Sequence, residues 1–374
     1  MATFRSLAFF LGATFAVSFA GCSSKNSIPV NTGDGGTKAT CASEKAAPSL
    51  QKNGYADCTS CTVPVLTPPL TCTDSKPIAA CCVQVESPNV ELARATGLNY
   101  NSAPAGQTDV DLSCLDAPKA LGTPQTVTVT GYVKLFSTGD DSTGVKIEIY
   151  EAGPNGTLGK LVGTPTATTD QSLFKDPKPT WSKKCPTDGC TFRQFSYAGV
   201  PTETPLIVKT SDANASQKWS ELYDYNIYFA NDSVTAGSVS YDASAVASTD
   251  VNTIASAAGG FTIKADRGVI AGEVHDCGDV RLSGARVNTD YRPEGDMFYF
   301  GENEADPLPD KQRTTGTSKL GLFGALNYPT NTPIRISAVG QYKGERVLVG
   351  TIVVQVFPGA VTALSFRGRR PWQK

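Results

Sequence analysis

From Gln125 onward, apolar and polar positions alternate. Val127, Val129, Val133 and Leu135 fall on one side, with Thr128, Thr130 and Lys134 on the other. Val145, Ile147 and Ile149 alternate with Lys146, Glu148 and Tyr150, and Tyr223, Tyr225, Ile227 and Phe229 alternate with Asp224 and Asn226. A two-residue period is that of a half-buried antiparallel strand, in which successive side chains leave opposite faces of the sheet. No long stretch repeats at 3.6 residues, and 35 glycines and 24 prolines supply many turns, so the pattern predicts an all-β chain. The segment from Ala243 to Gly260 is rich in Ala and Ser, with Val246, Val251 and Ile254 as its sparse apolar positions; it is expected to be a linker with about one helical turn. A run with no charge, Leu7 to Phe19, lies at the start and is too short for a permanent membrane helix.

The strand pattern occurs twice. Phe195-Ser-Tyr-Ala-Gly-Val-Pro201-Thr202-Glu-Thr204-Pro205-Leu206-Ile-Val208 aligns without gaps to Phe323-Gly-Ala-Leu-Asn-Tyr-Pro329-Thr330-Asn-Thr332-Pro333-Ile334-Arg-Ile336. Upstream, Val129-Thr-Gly131-Tyr-Val133 matches Ile270-Ala-Gly272-Glu-Val274, and Gly144-Val-Lys-Ile147 matches Gly284-Ala-Arg-Val287. The shared order is a strand with a glycine, a turn, a strand, a longer connection, then a Pro-Thr-x-Thr-Pro turn feeding another strand. Such a spacing predicts two copies of one β-domain.

Gly272-Glu-Val274, Leu282-Ser-Gly284-Ala285-Arg-Val287, Gly321-Leu-Phe323 and the proline-containing turn before Ile334-Arg-Ile336 resemble carboxypeptidase regulatory-like domains. The resemblance covers most of Val269 to Arg367 and, more weakly, Gln125 to Ser233, where Arg193 stands in the place of Gly321. It implies two tandem transthyretin-like β-sandwiches of about seven strands each. The family has no shared catalytic residues, so the resemblance implies a stalk, spacer or interaction module.

Arg5 before the apolar run, and Phe19-Ala20-Gly21-Cys22 at its end, resemble the signal peptide and lipobox of bacterial lipoproteins, with Phe19 where the family usually has Leu. The resemblance implies cleavage before Cys22, acylation of its sulfur and a bilayer as partner; Ser23, where Asp would signal inner-membrane retention, favours the outer membrane. Ser23 to Thr40 is polar, with Asp34-Gly35-Gly36, and reads as a flexible tether of roughly 25 Å span.

Once Cys22 is set aside, ten of the eleven cysteines remain, an even number that can pair in an oxidising compartment. Cys41, Cys58, Cys61, Cys72, Cys81 and Cys82 crowd a segment with few apolar runs and are expected to form three bridges of open connectivity. Cys58-Thr-Ser-Cys61 has redox or half-zinc spacing, but Thr62-Val-Pro64 is a poor helix start and the second half of a zinc ribbon is missing. Cys185-Pro-Thr-Asp-Gly-Cys190 holds a chain reversal that predicts a local disulfide. Cys114 and Cys277 are left over, and the expectation is that they pair and staple the N-terminal region onto the second repeat.

Candidate chemistry is sparse. His275 is the single histidine, too few for a multi-histidine metal centre, and strand alternation points it opposite Val274, toward solvent or a neighbouring domain, with a surface position at a strand end as the default. Asp140, Asp141, Asp276 and Asp279 lie in matching loops of the two repeats; calcium can use such acids, but EF-hand spacing is absent and solvated turns are the default. Trp181, beside the Cys185–Cys190 loop, is the best exposed aromatic candidate for stacking on a sugar. No Gly-x-Ser-x-Gly elbow accompanies the histidine, so no catalytic residue, metal or cofactor is expected.

With 33 Lys and Arg against 35 Asp and Glu the chain is near neutral, and nucleic acid is not an expected partner. The expected organisation is a signal peptide over 1–21, anchor and tether over 22–40, a cysteine-rich segment over 41–120, sandwiches over 121–240 and 265–374, and a linker over 241–264. The expected function is a lipid-anchored envelope module for structure, adhesion or protein interaction, whose partner is an envelope protein or glycan. The alternative is a carbohydrate-binding lipoprotein using exposed aromatics or sandwich-end loops.

Overall fold

The computed structural model describes residues 90–116, 120–136, 141–169, 173–176, 190–214, 218–289, 294–368 and 370–371. Cys22, Cys41, Cys58, Cys61, Cys72, Cys81, Cys82, Cys185 and Trp181 lie outside the described residues. The chain is predominantly β. In order come β1 (Ala93–Arg94), the short helix α1 (Ser113–Asp116), β2 (Thr126–Leu135), β3 (Val145–Ala152), β4 (Leu158–Ala167), β5 (Leu173–Asp176), β6 (Cys190–Pro201), β7 (Leu206–Asp212), β8 (Leu222–Ile227), β9 (Ser238–Ser240) and β10 (Ala243–Ala245). Helix α2 (Ser248–Gly259) follows, then β11 (Arg267–Val274), β12 (Leu282–Ser283), β13 (Arg286–Thr289), β14 (Glu294–Phe300), β15 (Pro309–Asp310), β16 (Leu322–Pro329), β17 (Pro333–Tyr342), β18 (Glu345–Gln355) and β19 (Val361–Phe366).

The repeat in the sequence is a repeat of strand register. In the first half β2 pairs antiparallel with β6, placing Thr126 opposite Pro201 and Gly131 opposite Phe195. In the second, β11 pairs with β16, placing Arg267 opposite Pro329 and Gly272 opposite Phe323, the aligned residues in each case. Both ladders shift register near their start, between Val127 and Thr128 and between Gly268 and Ile270. The β3–β7–β8 ladder corresponds to β13–β17–β18, and the parallel strands laid along β2, β9 and β10, correspond to β19 along β11.

Small local devices recur as well. Gly144 and Gly284 take φ of 76° and 81°, a region open to glycine, and their N–H groups donate to the carbonyls of Thr168 and Thr317. The two threonine hydroxyls then do the same pair of tasks. Each accepts from a strand-entry N–H (Val145 or Ala285) and donates to a carbonyl three residues before it (Ser142 or Leu282). In the Pro-Thr-x-Thr-Pro turns the middle residue, Glu203 or Asn331, is left-handed at φ 53° or 57°.

Each half has its own core. Val127, Val129, Val133 and Leu135 of β2 meet Val145, Ile147 and Ile149 of β3, with Phe195, Tyr197 and Val208 between them. In the second half Ile270, Val274, Phe323 and Phe366 meet Val287, Ile334, Ile336 and Val349. The halves are joined by a parallel pairing that no local pattern announces: β8 runs beside β19, Leu222 opposite Val361 and Tyr225 opposite Leu364. The result is one nine-stranded sheet in the order β15-β14-β16-β11-β19-β8-β7-β3-β4.

Two expectations need correction. The segment expected to be a linker with one helical turn holds β10 and a twelve-residue helix. Val251 and Ala255, four residues apart on α2, pack on Leu222, Val269 and Val361 across the β8–β19–β11 junction. Gly260, left-handed at φ 75°, ends the helix. The predicted single face of Tyr223, Tyr225, Ile227 and Phe229 is split. Asn226 adopts φ 67° and turns the chain, so Tyr223 and Tyr225 enter the second-half core while Ile227 and Phe229 join the first.

Candidate functional site

The junction sheet presents an outer face between the two halves. Residues Ile270 and Val274 of β11, Leu364 and Phe366 of β19, and Tyr223 and Tyr225 of β8 face the core. By alternation Ala271, Glu273, Ala363, Ser365 and Asp224 face outward, and all five are half-buried. Asp224, Ala363, Ala271 and Gly324 form one row across β8, β19, β11 and β16, and Ser365 pairs with Glu273 in the next. Helix α2 covers the apolar end of this face through Val251 and Ala255; its other end is polar.

At the polar end His275 is fully buried, which corrects the expectation of a surface position. Its Nε2 lies 2.7 Å from Glu273 Oε2 and its Nδ1 lies 2.8 Å from Asp279 Oδ1. Arg281 donates to both oxygens of Glu273, at 2.8 and 3.2 Å, and approaches Glu304 at 3.6 Å. Arg367 reaches Asp279 at 3.0 Å. Burial alone would raise the acid pKa values, but Arg281 and His275 hold Glu273 far below the usual carboxylate range. At Asp279, likewise, His275 and Arg367 outweigh burial and lower the pKa.

Asp224 is the contrary case. Burial pushes its pKa up to about 6, with the Glu273 charge adding to the rise; the Tyr241 hydroxyl, donating at 2.8 Å to Oδ2, and Arg367 oppose it. Asn226, two residues on, donates from Nδ2 to the Ser365 carbonyl at 2.9 Å, while its Oδ1 is buried without a hydrogen-bond partner.

Of the acids singled out in the sequence, Asp141, Asp276 and Asp279 are engaged. Asp276 is fully buried: Oδ1 accepts from the Gly278 and Val280 N–H groups, and Oδ2 accepts from the Asp111 N–H and lies 2.7 Å from Arg94 Nε. Asp141 is paired with Arg193, the residue that replaces the repeat's glycine, and that contact lowers the Asp141 pKa. Asp140 lies outside the described residues. No group of three or more His, Cys, Asp or Glu among the described residues could hold a metal ion, and no described helix is long and apolar enough to cross a membrane.

The N-terminal segment is fastened beside this network. Cys114 and Cys277, separated by 163 residues, form a disulfide. Asn99 donates to Glu304 at 2.9 Å, Tyr100 carries the Lys134 ammonium 4.4 Å from its ring centroid, and β1 pairs with β12. Cys190 opens β6, and its expected partner Cys185 lies outside the described residues. Sequence reasoning missed Asp224, Asn226, Arg281 and Arg367 as a group. For Arg281 the available signal was the run Glu273-x-His275-x-x-x-Asp279-x-Arg281, charged residues two or four apart around a strand end; Asp224, Asn226 and Arg367 stand outside it.

No protein-family model matches the chain, and no curated protein matches it in sequence.

Proposed function

We propose that this chain is an envelope lipoprotein, held to a bilayer by acylated Cys22, that works as a non-catalytic interaction module built on two transthyretin-like sandwiches. The observation that carries the export reading is the Cys114–Cys277 bridge, because a cross-link between distant parts of a chain persists in oxidising compartments and is kept reduced in the cytosol. The matched registers Gly131–Phe195 and Gly272–Phe323 support the duplication. The commitment of Glu273, His275 and Asp279 to one another and to Arg281 and Arg367 supports binding over acid–base catalysis, since a general acid or base must face the reacting group rather than a fixed counter-ion.

In this reading the lipid fixes location, the tether gives reach, and disulfides maintain shape outside the reducing cytosol. The partner is an envelope protein or a glycan. Membrane fractionation of the Cys22→Ser variant tests the anchor: the protein is expected in the soluble fraction, and unchanged membrane association refutes the lipid.

A further inference from the structure

The chain holds three Asn-x-Ser/Thr sequences: Asn155-Gly-Thr157, Asn214-Ala-Ser216 and Asn231-Asp-Ser233. This spacing is the acceptor signal for N-linked sugar in exported proteins: the asparagine amide receives the sugar, and the hydroxyl two residues on is what the transferase reads. The pattern is short, and the fold decides which copy has room for a glycan. Asn214-Ala-Ser216 ends outside the described residues.

Asn231 is committed to the fold. Its Nδ2 donates to the Thr123 carbonyl at 2.9 Å, its Oδ1 accepts from the Thr202 hydroxyl at 2.5 Å, and its N–H donates to Glu203 at 2.6 Å. Gly122 crowds the same nitrogen, since a Cβ added there would come within 3.0 Å of it. A sugar on Asn231 has no space.

Asn155 is the opposite case. It is exposed, in the turn between β3 and β4, and its side chain makes no hydrogen bond among the described residues. Asn155 and Gly156 are both left-handed, at φ 54° and 74°, and the Gly153 N–H closes the turn on the Thr157 carbonyl at 2.7 Å. Gly156 is the seated side: a Cβ there would strike the Val353 carbonyl of β18. Asn155 is the free side. The Thr157 hydroxyl donates back to the Pro154 carbonyl at 2.8 Å, so the signal is open to a transferase before the hairpin closes, and the finished turn leaves a glycan in solvent.

We propose that Asn155 is an N-glycosylation site whose co-substrate is a polyprenyl-diphosphate-linked oligosaccharide, transferred by an oligosaccharyl transferase. Asn155 Nδ2 bonds to C1 of the first sugar, the C1–O bond to the diphosphate breaks with its electron pair leaving on the diphosphate, and one amide proton passes to a base of the transferase. The site goes beyond the interaction-module reading but rests on its export step, because the donor lipid is used outside the cytosol.

The test is peptide mass spectrometry on the protein isolated from the cells that make it. Trypsin, cutting after Lys146, Lys160, Lys218 and Lys264, separates residues 147–160, which hold Asn155, from residues 219–264, which hold Asn231. The first peptide is expected to carry added mass that fragments as a chain of sugar units ending on Asn155, and the second to carry none. The added mass should be lost in Asn155→Gln and in Thr157→Ala, and kept in Thr157→Ser, which retains the hydroxyl. Melting curves check the fold of each variant, and the parent protein carries the test if one is unfolded. Residues 147–160 at their bare mass, or changed only by deamidation of Asn155, overturn the proposal. So does added mass that survives Asn155→Gln, or sugar on Asn231. The amino terminus, read in the same experiment, separates the failures: a chain cut before Cys22 with bare Asn155 removes the glycan alone, whereas an uncut chain with bare Asn155 removes export with it.

Discussion

Asp224 shows how one residue can be tuned by its row. It shares a sheet face with Glu273, yet the two acids are driven in opposite directions: Glu273 is held ionised by Arg281 and His275, whereas burial raises Asp224 to about 6. The linkage follows from the sign of the second shift. The folded pKa lies above the ordinary carboxylate value, so the folded chain binds this proton more tightly than the unfolded one, and stability falls as pH rises through 6. Asp224→Asn removes that component and keeps an acceptor for Tyr241. Thermal melts should find the variant more stable than the parent at pH 7 to 8, with the gap closing toward pH 4. A constant difference across that range would mean that burial of the charge is not the cause. Glu273 and Asp279 act in the usual direction: their contribution is complete above the unfolded carboxylate pKa and is lost as pH falls through their lowered folded values.

The elements repeat because their tightest contacts repeat. Gly131 and Gly272 occupy aligned positions where neighbouring chain, the β9–β10 link at Gly131 and strand β19 at Gly272, passes too close for a side chain. A Cβ at Gly131 would strike the Tyr241 carbonyl, and one at Gly272 the Leu364 carbonyl. Gly131→Ala and Gly272→Ala should therefore each destabilise the chain by about 1–3 kcal/mol, the usual penalty for forcing backbone apart in a packed region. Gly237→Ala serves as the control, since it has open space around its Cα and would register backbone strain alone at φ 76°. Denaturant unfolding checks this, and equal losses at all three sites would remove close approach as the reason for the repeated glycine. These contacts were legible in the sequence because they are carried by residue types with few substitutes: glycine, and prolines around a fixed turn. Helix α2 was not, because Ala and Ser carry little hydrophobic signal and its packing residues, Val251 and Ala255, are only two. His275 was misplaced because alternation gives a side chain's direction but not what stands there, and Glu273 and Asp279 turn an outward direction into a buried ion network. The β8–β19 pairing was illegible for a different reason: it joins residues about 140 positions apart in parallel, and nothing in either strand's pattern names its partner.

At the scale of the whole molecule, chain order and attachment order differ. Residues 90–116 precede the first repeat but are fastened to the second: Arg94 lies against Asp276, β1 pairs with β12, and Cys114 is bonded to Cys277. Any pull applied to the chain ahead of residue 90 would pass into the second half before the first, and the first half would be held mainly through β8 against β19 and its core contacts. The cross-link closes a loop of 163 residues, for which the chain-entropy model gives about 5 kcal/mol and native bridges typically deliver about 2–5 kcal/mol. In a Cys114→Ala, Cys277→Ala double variant, stability should drop by about that range. Hydrogen exchange should localise the effect. The N–H groups of Leu92 and Ala95, bonded to the carbonyls of Gln341 and Arg281, should lose protection first, while Val129 on β2 keeps its own. If Leu92 and Ala95 stay as protected as in the parent, the segment is held by its strand pairing and ion pairs alone, and the bridge has no part in fastening residues 90–116 to the second half.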